Sequence, residues 1–159
     1  MNIPEKSNVR FGRPMAVATI CTLLSVAAAI PADTSMQDLV IPIGEAKFSA
    51  PNTRFGLALS GAPLWSDPTT GRQSYLIKWT KGSTKRHYHN FDYQGVVLKG
   101  TMTHWTETLP ESGARALDVG SSWFQSAGKA HIDSCLSDEC ISISTAFGTG
   151  ETVFVPDAK

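Results

Sequence analysis

Past residue 55 the apolar residues of this chain never hold a long 3.6-residue period. They come instead in short β-branched and aromatic runs at intervals of about ten residues. The runs are 55–59, 74–79, 94–107, 116–119, 122–125, 131–135, 140–146 and 152–155, with Gly, Pro, Asp, Ser and Thr between several of them. Alternation over such lengths suits half-buried strands, and a series of them predicts an all-β sandwich or barrel. Within it, 94–107 reads as a hairpin turning at Lys99-Gly100, and 60–71 and 109–114 read as loops. Ahead of the series, the apolar pieces at 39–41 and 47–48, broken by Pro42 and Gly44, read as an entry strand and connectors.

A length of 159 residues is one domain's worth, and 42% hydrophobic content suits a globular chain. No repeat at a solenoid or propeller period occurs. The 14 Lys and Arg balance the 14 Asp and Glu and are scattered, so nucleic acid is not an expected partner. No G-x-S-x-G, phosphate-loop or dinucleotide fingerprint supports serine hydrolase, nucleotide or nicotinamide chemistry.

The first thirty residues differ in kind. Lys6, Arg10 and Arg13 precede an apolar run at 15–30 that ends in small residues before Pro31 and Asp33. A basic start, an apolar centre and an Ala-rich end predict a signal peptide over 1–32, cleaved after Ala29 or Ala32, and an exported, periplasmic or secreted protein. Sixteen apolar residues fall short of the roughly twenty that span a bilayer, so no stable membrane span is expected after cleavage. Cys21 lacks a lipobox setting. The mature domain, 33–159, would carry 11 positive against 13 negative side chains.

Export bears on Cys135 and Cys140. They flank Leu-Ser-Asp-Glu, and the runs 131–135 and 140–145 read as a hairpin through that turn, with the cysteines face to face. An oxidising compartment permits a disulfide there; the alternative is two free thiols.

The chemistry-bearing stretch is 81–100, KGSTKRHYHNFDYQGVVLKG. In a strand, His87 and His89 point to one face with Cα atoms roughly 6.5–7 Å apart, close enough to share a metal ion. A second stretch follows about forty residues later, with Gly120, Ser126, Gly128 and His131.

Here the sequence resembles the cupins. Their first motif reads G, five residues, H-x-H, three or four residues, E, six residues, G; their second reads G, five residues, P-x-G, two residues, H. The second fits through Gly120, Gly128 and His131, with Ser126 in the usual proline position. In the first, four residues and not five separate Gly82 from His87, and no glutamate follows the pair. The resemblance covers about 60–150. Residues 64–71 also look like the opening of small exported cupins of uncharacterised function.

The resemblance implies a single cupin-type jelly-roll β-barrel and a divalent transition metal (Zn, Fe, Ni, Mn or Cu) on His87, His89 and His131. The fourth ligand is left among Gln94, which is favoured, Asp92 and Tyr93. With Gln94, no protein charge offsets the ion, and a small anionic substrate is expected, in isomerase, lyase or dioxygenase chemistry. The alternative is a non-catalytic protein that binds a small ligand or senses the metal. Cupin-like barrels often pair through outer strands, so a homodimer is possible.

Two further residues are catalytic candidates. Tyr93 either donates a hydrogen bond into the pocket or packs. His104 is either a satisfied strand histidine or a general acid or base near the barrel mouth. Lys129 either attracts an anion to the mouth or is simply solvated. Trp79, Tyr88, Phe91, Trp123 and Phe124 read as core or pocket lining.

Overall fold

A computed structural model describes residues 39–156. The expected signal segment 1–32, with Cys21, lies outside the described residues. Among the described residues no helix is long and apolar enough to cross a membrane. The only helical turns there are the 3-10 pieces Ile43–Glu45, between the two expected entry pieces, and Glu111–Gly113; 39–41 and 47–48 themselves form no strand.

Eight strands make one curled antiparallel sheet: β1 Leu59–Ser66, β2 Gln73–Ser83, β3 His87–His89, β4 Tyr93–Lys99, β5 Met102–Thr106, β6 Ser122–Gln125, β7 His131–Ala146 and β8 Thr152–Phe154. The organiser is β7. It pairs with β2 along one edge and with β4 and then β5 along the other, while His131 also meets His87 of β3. β1 lies outside β2, β6 beside β4 and β8 beside β3.

Two expected hairpins are absent, for one shared reason. β4 and β5 both run antiparallel to β7, Lys99 opposite Ile141 and Met102 opposite Cys135, so 93–106 is a single path with a kink, not a turn back. Likewise 131–146 continues in one direction past the four residues between the cysteines, which bulge out: β7 advances from Cys135 to Glu139 while β2 steps only from Gly82 to Thr80. Kink and bulge face each other. Leu136 N–H donates to Thr101 O at 2.9 Å, and Thr101 N–H donates to Ser137 Oγ at 3.0 Å. Gly100 has φ +76°, and a Cβ there would sit 2.7 Å from Glu139 O and 2.9 Å from Cys140 Sγ. Only glycine fits both demands.

A Cys135–Cys140 disulfide, Cα atoms 5.8 Å apart, closes the bulge at its base. Both cysteines belong to the apolar core with Leu57, Trp79, Val97 and Met102. Trp79 Nε1–H donates to Ser142 Oγ at 2.9 Å, so its buried indole leaves no orphan donor.

β1 occupies 59–66, mostly residues expected as loop. It contains Pro63, tolerated because at that position β1 pairs with β2 alone, the 49–52 segment meeting only its first residues, and a register shift follows between Pro63 and Trp65. Residues 116–119 form no strand; Leu117 makes an isolated bridge to Met102.

Candidate metal centre

Strand parity puts His87 and His89 on one face of β3, as the H-x-H spacing demands. His131 begins β7 directly opposite His87. The second motif is tied to the first by backbone, Gly128 N–H donating to His89 O at 2.7 Å. Ring centroids of His131 lie 4.3 Å from His87 and 5.3 Å from His89. One ring nitrogen from each of the three lies within 4.8 Å of the others.

The surroundings choose the tautomers. His87 Nδ1–H donates to Lys85 O at 2.8 Å and His131 Nδ1–H to Lys129 O at 3.1 Å, which leaves both Nε2 lone pairs free of a proton. His89 Nδ1 shares a 3.0 Å hydrogen bond with Thr152 Oγ1. Burial pushes all three pKa values down, His89 to about 3 and His131 to about 4. Three neutral imidazoles converging on one point are a donor set suited to a divalent transition metal.

The fourth position departs from the favoured expectation. Gln94 is exposed, on the outer face of β4 opposite Phe124 and Thr145, and its amide cannot turn inward without reversing the strand's parity. Asp92 is exposed too; its Oδ1 accepts the Ala127 N–H at 2.7 Å. Tyr93 is the residue that enters the barrel. It is 5% exposed, its Oη donates to His131 Nε2 at 3.1 Å, and it receives the Trp123 Nε1–H at 3.4 Å. Burial, aided by the Asp133 charge, raises its pKa well above the usual value, so the phenol stays protonated.

Beside the histidines stands a charged group that the motif reading missed. Asp133, 3% exposed, accepts a 2.7 Å hydrogen bond from His104 Nδ1 on Oδ1, while Oδ2 lies 3.6 Å from His131 Nε2. His104 Nε2 faces Gln125 Oε1 at 2.9 Å. Gln125 has no freedom to offer its amide nitrogen instead, because that nitrogen donates to Ser126 O and Lys129 O. Both His104 nitrogens therefore meet acceptors, and the ring is an imidazolium. Burial works against that charge, but the Asp133 bond and charge outweigh it and raise the pKa. The same pair acts on Asp133, where burial pushes up and His104 pulls harder, to about 2. The signal was present in the sequence: His131-Ile-Asp133 has the same i, i+2 spacing as His87-Tyr-His89.

His104 therefore sits behind Asp133 and His131, holding the carboxylate, and not at the barrel mouth. Lys129 contributes its carbonyl, which orients both His131 and Gln125, while its side chain is exposed beside a different depression. Tyr88 and Phe124 do not line the cavity, whereas Trp79, Phe91 and Trp123 do.

That cavity, about 280 Å³, is bordered by His87, His89, Tyr93 and Asp133 on its polar side and by Leu59, Ile77 and Phe55 among its apolar walls. Trp123 lines it and stacks on His104 with centroids 5.6 Å apart. The indole occupies the space a side chain on Gly95 would need, since a Cβ there would fall inside the ring.

No family model matches the chain, and no curated protein matches it in sequence. Solved structures match it in fold. Polyketide cyclase RemF from Streptomyces resistomycificus is 18% identical, with TM-score 0.62 over 78% of this chain and 89% of that one. An acetylacetone dioxygenase from Acinetobacter johnsonii is 20% identical, with TM-score 0.60 over 78% and 80%. An RmlC-like cupin from Shewanella frigidimarina is 15% identical, with TM-score 0.58 over 73% and 95%. At such identities the likeness establishes the fold alone.

Proposed function

We propose that this chain, which has the all-β cupin-type jelly-roll fold, binds one divalent transition metal on His87, His89 and His131 and uses it on a small molecule held in the adjoining cavity. The observation that carries the reading is the convergence of three neutral imidazoles beside a 280 Å³ cavity that also holds a buried phenol and a buried carboxylate. The similar structures include proteins described as a cyclase and a dioxygenase, and another is described among DMSP lyases, so this fold accommodates enzyme chemistry of several kinds.

A metal bound there would act as a Lewis acid, polarising a carbonyl or lowering the pKa of water. The chain's own groups supply the rest. Tyr93 Oη, protonated and aimed at the same point, donates a hydrogen bond to an oxygen of the substrate. Asp133 Oδ2 accepts one from a substrate hydroxyl, and the His104 imidazolium fixes the carboxylate's orientation. The apolar walls keep water from the reacting atoms. With three neutral imidazoles and the Asp133 charge matched by His104, the ion keeps its positive charge, which favours an anionic substrate. Isomerase, lyase and dioxygenase chemistry remain the reaction classes. An exported location agrees with the Cys135–Cys140 disulfide, which an oxidising compartment permits.

A second reading is a non-catalytic small-ligand barrel. It is favoured by one contact, the 3.1 Å bond from Tyr93 Oη to His131 Nε2, which must break before that nitrogen can ligate. Elemental analysis of the untagged protein beside the His87→Ala/His131→Ala double variant separates the two. About one equivalent of one transition metal, lost in the variant, supports the metal enzyme. Absence of metal in both, after reconstitution with Zn, Fe, Ni or Mn, leaves a bare ligand pocket.

A further inference from the structure

At the rim of the cavity the chain carries a cation that the metal chemistry does not use. Arg54 lies on the turn before β1, which is held firmly: Asn52 bridges to Leu59, Asn52 Oδ1 accepts the Arg54 N–H at 2.9 Å, and Lys85 N–H donates to Phe55 O at 2.6 Å. The Arg54 guanidinium lies over two aromatic rings, 5.1 Å from the centroid of Phe55 and 5.4 Å from that of Phe154. Phe55 in turn stands edge-on to His87, centroids 5.3 Å apart. One aromatic layer therefore separates the guanidinium from the metal-ligating histidine.

Stacking on Phe55 and Phe154 orients the planar group without spending its N–H donors. Among the described residues the guanidinium makes no ion pair; the ion pairs there belong to Lys78, Arg86, Lys99, His104 and His131. Arg54 borders a shallow depression with Gly150, Glu151 and Thr152, and both Gly150 and Thr152 also line the main cavity, so the two depressions share part of their walls. A ligand lying from the histidines to this rim passes the apolar faces of Phe55 and Phe91.

We infer that Arg54 is the substrate-recognition residue of the proposed metal site, and that the substrate class is a two-ended molecule: an oxygen pair that meets the metal, an apolar body against the aromatic wall, and a carboxylate on the Arg54 guanidinium. The inference rests on the metal reading above and deepens it. The planar fork matches a carboxylate with two parallel N–H donors, and the exposed setting keeps its contribution moderate.

The test is a matched pair of probes, benzohydroxamate and 4-carboxybenzohydroxamate, titrated calorimetrically into the zinc-loaded protein and into its Arg54→Gln and Arg54→Lys variants. The hydroxamate reads the metal and the para-carboxylate reads the rim. The carboxylate is expected to tighten binding roughly three- to tenfold in the parent protein, to give no gain in Arg54→Gln and an intermediate gain in Arg54→Lys. The gain should also shrink as ionic strength rises. Benzohydroxamate itself should bind all three alike, which shows the variants folded and loaded. Equal binding of both probes to the parent, or an undiminished gain in Arg54→Gln, overturns the role of Arg54 and leaves the metal site standing. Binding of neither probe overturns the metal reading and this inference with it.

Discussion

Asp133 is shared between two histidines: Oδ1 accepts from His104 Nδ1 at 2.7 Å, and Oδ2 lies 3.6 Å from His131 Nε2. A carboxylate buried in this way is stable only while a cation faces it, and His104 is that cation. The three-histidine face of the barrel thus depends on an ion pair packed against it.

Asp133→Asn removes the negative partner and leaves His104 between an amide and the Gln125 amide oxygen. A loss of about 3–5 kcal/mol in chemical denaturation is expected, since breaking a buried pair leaves one charge unmatched. The double variant Asp133→Asn/His104→Gln should recover part of it. A loss below about 1 kcal/mol in the single variant would refute the buried imidazolium.

The metal-free protein should lose stability as pH falls from 6.5 toward 4. His89 and His131 take protons in the unfolded chain near 6.5 but in the folded one only near 3 and 4, so unfolding takes up protons throughout that window. Each such proton steepens the slope by about 1.4 kcal/mol per pH unit. His104 works the other way: its raised pKa contributes stability present below 6.5 and lost as pH rises through the folded value. Asp133, held at about 2, contributes stability above 3.8 that disappears only as pH falls through 2. Thermal melts from pH 7 to 4 read the sum, and His89→Gln should flatten the curve. A flat melt profile in the parent protein contradicts the neutral, buried histidines.

Tyr93→Phe deletes the donor that occupies His131 Nε2. Apo stability should drop by about 1 kcal/mol, while metal affinity rises because no hydrogen bond has to break first. Competition with a chromophoric chelator measures it. A tenfold fall in affinity would instead make the Tyr93 oxygen a ligand.

Gln94→Ala should leave metal content and stability nearly unchanged, within about 0.5 kcal/mol, because the side chain stands on the outer face. Loss of metal by elemental analysis would restore Gln94 to the ligand set.

Gly95→Ala should destabilise by about 1–3 kcal/mol, the cost of forcing a methyl into the Trp123 ring. Displacement of the indole from His104 and Tyr93 should also shift tryptophan fluorescence, and an unshifted spectrum would count against the packing described.

Much of the site was legible in residue spacing. Two histidines at i, i+2 share a face in any regular strand, which is local geometry; His131 came in through the resemblance of the second motif to the cupins, and it meets His87 because β7 pairs with β3. Gln94 misled because strand parity had to be counted from a register that spacing alone does not supply. A shift of one residue exchanges inside for outside, and the exchange put Tyr93 in the barrel. His104 is a strand histidine in the chain and an imidazolium in the fold only because Asp133 and Gln125 arrive from β7 and β6.

The sequence by itself determined the strand content, the shared face of His87 and His89 and the nearness of the two cysteines, since each rests on period-two alternation or on neighbours a few residues apart. Tertiary structure alone decided that 93–106 and 131–146 run on past Gly100 and the cysteines and do not turn back. It also decided that Asp133 stands beside the three histidines and that the Arg54 guanidinium lies over Phe55 and Phe154. Those outcomes depend on pairing between segments up to about seventy residues apart, such as β2 with β7. Local propensity marks an irregularity at a glycine or a polar run, and the opposing strand decides whether it becomes a turn or a bulge.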